Sequence, residues 1–73
     1  MWFDMVGAYK RHIIRKRYNR LIKQIEDSID DLFLALEYTK DESKRTVYLE
    51  MITNHRKRMR RLLIEKSNLL DKE

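Results

Sequence analysis

The sequence contains no cysteine and no proline, and its only glycine is Gly7. Without cysteine there is no disulfide framework and no thiolate metal site, and the redox compartment stays open. Without proline, and with one glycine, the turn formers that a β-rich or loop-rich small domain needs are missing. Histidine occurs only twice, so no histidine-rich metal site is expected. No apolar run approaches the ~18–20 residues required to span a bilayer. The N-terminus places apolar residues before basic ones, with Asp4 among them, which is the reverse of a secretory signal. Residues 1–25 are Arg-rich and acid-poor like a transit peptide, but they hold no serine. A cytoplasmic location is therefore expected.

What remains is helix-forming and amphipathic. Charged residues make up 40% of the chain and hydrophobic ones 42%, a balance unlike that of a disordered polyelectrolyte. Leu, Ile, Met, Lys, Arg and Glu dominate, and these lose little side-chain freedom in a helix. The composition predicts an all-α protein. At 73 residues the chain fits one domain. A domain of that size buries only about 60% of its unfolded surface, so it needs a staple. With disulfides and metals set aside, the staple expected is oligomerisation.

Two apolar stripes run along the chain. Tyr18, Ile22, Ile25, Ile29, Leu32 and Leu36 alternate at spacings of four and three, widened by Leu21 and Phe33. Tyr48, Ile52, His55, Met59, Leu62, Lys66 and Leu69 repeat the alternation, widened by Met51, Leu63 and Leu70. Their phases disagree. Extending the first stripe lands on Thr39, Ser43, Thr46 and Glu50, all polar. The second stripe starts two residues later, a jump of about 200° around a continuous helix. A break near residues 37–43 brings both stripes to one interface, giving a long antiparallel two-helix hairpin that self-associates into a helical bundle. Thr39-Lys40-Asp41-Glu42 has the form of a capping box, with Thr39 as N-cap and Glu42 at the third helical position. The expected parts are an amphipathic N-terminal segment (1–14), helix one (15–38) and helix two (40–70). A bent continuous helix in an oligomer is the alternative.

Facing residues of such a hairpin have numbers summing to about 80. That pairs Leu32 with Tyr48, Ile29 with Ile52, Ile25 with His55, Ile22 with Met59 and Tyr18 with Leu62. Residues before about position 10 then overhang the second helix. Trp2, Val6, Tyr9 and Ile13 keep the four-three spacing there, and Phe3 adds bulk. Trp2, Phe3, Val6, Tyr9 and Ile13 are thus the candidate association residues. The stripe either docks a second copy, another protein or a membrane surface, or folds back after Gly7 to close the core.

Charge is segregated. Lys10, Arg11, Arg15, Lys16, Arg17, Arg20 and Lys23 form an acid-free stretch, and Arg56, Lys57, Arg58, Arg60 and Arg61 form another. The hairpin merges them into a basic patch near its middle and open end, with the acidic residues at the loop end. Arg15, Lys16, Arg17, Arg20, Arg56, Lys57, Arg58, Arg60 and Arg61 are the candidate polyanion contacts, since arginine suits bidentate phosphate binding. The net charge of +5 favours anionic partners without choosing among nucleic acid, lipid and acidic protein.

No constellation suggests catalysis, a cofactor or a resident metal. Glu26, Asp27, Asp30 and Asp31 share a helix, but no glycine-bearing calcium loop accompanies them. His55 sits on the apolar stripe, where histidine is usually a core residue, and no nucleophile has an activating partner. The expected function is a small non-enzymatic interaction or regulatory protein that forms a homo-oligomer, with a dimer favoured, and binds another protein. A nucleic-acid-binding regulator is the alternative and a membrane-surface binder a lesser one. No small-molecule substrate is expected.

Overall fold

Uninterrupted helix formers on either side of a short polar segment produce two helices and one connection. The computed structural model describes the backbone of residues 2–71 and the side chains of residues 5–71. Helix α1 runs Trp2–Tyr38 and α2 runs Glu42–Asp71. They pack against each other as an antiparallel hairpin, and no strand occurs among the described residues. At ~1.5 Å per residue, α1 is about 55 Å long and α2 about 45 Å. The surplus length is the N-terminal end of α1, which extends past the end of α2. Helix α1 passes straight through Gly7, so the chain does not turn back there.

The break lies within the expected window, at residues 39–41. Its cap differs from the expected one. The Asp41 carboxylate Oδ1 accepts the Ser43 backbone N–H at 2.9 Å, and the Arg45 N–H donates to the Asp41 carbonyl at 3.0 Å. Asp41 is therefore the N-cap in place of Thr39, and Glu42 opens the helix rather than occupying its third position. Aspartate caps better than threonine, and its charge also meets the positive end of the helix. The Thr39 carbonyl has another partner. Arg45 Nη1 donates to it at 3.0 Å and to the Leu36 carbonyl at 2.6 Å. One guanidinium from α2 thus satisfies carbonyls that the end of α1 leaves open. This contact explains how α1 stops without glycine or proline.

The core follows the two stripes. Ile25, Ile29, Leu36 and Ile52 form the buried cluster, with Leu32, Tyr48, Met59 and Leu62 packed against it. Ile52, only 3% exposed, is the best-buried side chain of the core. Toward the open end the seam becomes polar. Lys66 Nζ donates to Asn19 Oδ1 at 2.8 Å, and the Tyr18 hydroxyl reaches Glu65 Oε2 at 3.5 Å. Among the described residues, no large side chain is fully buried. The reason is geometric. The Cα envelope measures 60 × 16 × 9 Å, so the protein is a single layer of two helices. Small domains normally need two layers to enclose a core.

Replacing Asp41 with Ala should lower stability by about 1 kcal/mol, whereas Thr39→Ala should cost little. Urea unfolding of both variants, followed by circular dichroism, checks which residue is the cap.

Candidate interaction surfaces

Helix phase decides which α1 side chains can meet α2. The core stripe from Tyr18 to Leu36 occupies one side of α1 and continues toward the N-terminus through half-buried Ile14. Ile13 is its neighbour in sequence but belongs to another face. The five-residue step from Ile13 to Tyr18 turns the helix about 140° beyond one full turn. The stripe of Val6, Tyr9 and Ile13 therefore lies roughly 150° from the core stripe, on the outer side of α1. Exposure agrees, with Tyr9 at 65% and Ile13 at 44%.

Overhang alone was the expected reason for an uncovered N-terminal stripe. Ile13 lies alongside α2 and is still exposed, so orientation matters as much as length. Val6 is half-buried and Met5 is exposed. The side chains of Trp2 and Phe3, the other two candidate association residues, lie outside the described residues.

The same outer face carries two residues that the sequence reading passed over. Leu34 is 55% exposed and Tyr38 is 79% exposed, both near the loop end of α1. Counting from Tyr9 and Ile13 around the helix places them within the same arc. Their spacing was a usable signal, hidden because the intervening residues of that face are charged. Phe33, by contrast, lies at the edge of the core stripe, where the Arg56 guanidinium carbon sits 5.6 Å from its ring centroid. That is a cation–π distance, so Arg56 partly shields Phe33.

All nine candidate polyanion contacts are exposed, and they gather in the open half and middle of the rod. Helix phase distributes them around its circumference. Arg15, Arg56 and Arg60 fall on the flank that holds Phe33, and Arg17, Arg58 and Arg61 on the opposite flank. Lys16 and Arg20 lie on the outer side of α1, with Ile13 and Arg17 around a shallow hollow. Lys57 lies on the outer side of α2, beside Leu49, Glu50 and Asn54. The cations form a collar around the hairpin. A collar offers phosphate contacts in every direction, but no flat basic platform with aromatic rings for stacking bases.

The acidic residues Glu26, Asp27, Asp30 and Asp31 are all exposed. Among the described residues, no group of three or more His, Cys, Asp or Glu side chains is placed to hold a metal ion. His55 is half-buried at the helix seam. No described helix is long and apolar enough to cross a membrane. No family model, curated protein or solved structure matches the chain.

The phase assignment predicts different fates for two adjacent isoleucines. Ile14→Ser should lower the stability of the hairpin by about 1–2 kcal/mol, while Ile13→Ser should change it by less than about 0.5 kcal/mol. Thermal unfolding, at dilutions where the midpoint no longer depends on concentration, checks this.

Proposed function

We propose that this protein is a small, non-enzymatic interaction module that self-associates and docks onto another macromolecule, a protein in the first instance. One observation carries the reading. Tyr9, Ile13, Leu34 and Tyr38 stand exposed on the side of α1 that α2 cannot reach. Large apolar side chains are costly to leave in water, at about 25 cal/mol per Å² of apolar surface. They form two apolar clusters, one toward each end of α1, and paired exposed clusters on one face suit an association surface. The single-layer hairpin supplies a second reason, because an added helix layer would cover the half-exposed edges of its core. Sedimentation velocity should show a species larger than one chain at micromolar concentration. A monomer throughout that range would exclude self-association.

The collar of cations supports a second reading, a regulator that binds nucleic acid through phosphates. Its affinity for mixed-sequence DNA or RNA should fall steeply with salt as counterions are released. Charge reversal at Arg58 and Arg61 should weaken binding and flatten that dependence. Absence of binding at low salt, measured by fluorescence anisotropy, would remove this reading.

A further inference from the structure

We infer that a second copy of the chain docks antiparallel along the outer face of α1, in a single register set by charge. The inference rests on the self-association proposed above and specifies its surface. Read along the outer arc of α1, the residues come in a symmetric order. Tyr9 and Ile13 are apolar, Lys16 and Arg20 cationic, Asp27 and Asp31 anionic, and Leu34 and Tyr38 apolar again. The spacings between consecutive members are four, three, four, seven, four, three and four, the same from either end. Each of these eight residues is exposed, and each lies within a narrow arc centred away from the core.

Turning a second α1 end for end superimposes the pattern on its complement. Tyr9 then faces Tyr38 of the other copy and Ile13 faces Leu34. Lys16 faces Asp31 and Arg20 faces Asp27, with Gln24 beside the two-fold axis. Every pair occurs twice, as a two-fold interface requires. A parallel arrangement in register would set Lys16 against Lys16 and Asp27 against Asp27, and like charges brought together disfavour it strongly. Sliding the antiparallel pair by one turn keeps only two of the four matched pairs, and sliding it by two turns sets Tyr9 and Ile13 against Asp31 and Asp27.

The seam from Tyr9 to Tyr38 is about 44 Å long, with apolar contacts at both ends and ion pairs between. Its partition of roles is physical. Apolar ends supply the association energy, while the desolvated ion pairs fix register and orientation more than they add affinity. A lipid surface would match the apolar and cationic half of the face. It would have no use for Asp27 and Asp31, which repel anionic headgroups. The complement of the whole face is the face itself.

Paired charge variants test this, with circular dichroism confirming helicity. Lys16→Asp with Arg20→Asp makes the centre of the seam all acidic. Asp27→Lys with Asp31→Lys makes it all basic. Each variant alone should dimerise roughly a hundredfold more weakly than the parent chain. Mixed one to one, they should form a heterodimer by sedimentation. A control with the same charge change on α2, Lys57→Asp with Arg61→Asp, should dimerise like the parent. Gln24→Cys, the only thiol in its chain, should couple to its copy with a short bismaleimide. Glu50→Cys on α2 should not.

A parent dimer that survives both charge variants would overturn this interface while leaving self-association standing. So would dimers of the parent that cross-link through Glu50→Cys but not Gln24→Cys. A monomeric parent chain would defeat both. A parent that is monomeric but co-sediments with phosphatidylglycerol vesicles would replace the second copy by a lipid surface.

Discussion

Two helices side by side can bury only the strip where they touch. Everything else about this protein follows from that constraint. The strip is used fully, with Ile25, Ile29, Leu36 and Ile52 forming the closed part of the core. The next rows on either side, such as Leu21, Leu32, Tyr48 and Leu62, are covered only in part. A third and a fourth helix would ordinarily complete such a core, and the described residues form only two. In the proposed self-association, that unmet burial would be met between copies of the hairpin.

The loop shows how the hairpin is held without the usual turn residues. Asp41 caps the start of α2, while Arg45, one turn into α2, donates to carbonyls at the end of α1. The two contacts work from opposite sides of the same three-residue connection. Charge placement helps each, since the acid sits at a positive helix end and the cation at a negative one. Closing the hairpin tightly leaves the surplus length of α1 at the open end. It also fixes which side of α1 remains available to others.

That free side differs from the flanks in kind. The flanks alternate half-buried apolar residues with solvated charges, as on many helical surfaces. The outer face of α1 is ordered along its axis, apolar at both ends and oppositely charged about its centre. In the proposed antiparallel dimer the charge segregation of the chain would take on a role, because reversal of direction turns segregation into complementarity. The collar of cations remains partly outside that seam. Arg56, Arg58, Arg60 and Arg61 all belong to α2 and stay accessible when the outer face of α1 is covered.

Much of the architecture was legible in the residues themselves. Helix-forming composition and the absence of proline determined the class, and the four-three stripes determined which residues meet. The phase jump after Leu36 favoured a turn before Tyr48 over a bent continuous helix. These are local properties, set by backbone geometry and side-chain type. The sequence could not select the N-cap, because Thr39 and Asp41 both suit the position. Only the packed hairpin engages the Thr39 carbonyl with Arg45 and leaves Asp41 to cap. Nor did spacing alone show that the Tyr9–Ile13 stripe and the Leu34–Tyr38 pair share one face. Direction around a helix has meaning only relative to what the helix packs against, and that reference appears when α2 takes its side. The sequence by itself determined a helical hairpin with an apolar surplus. The tertiary structure decided where that surplus points.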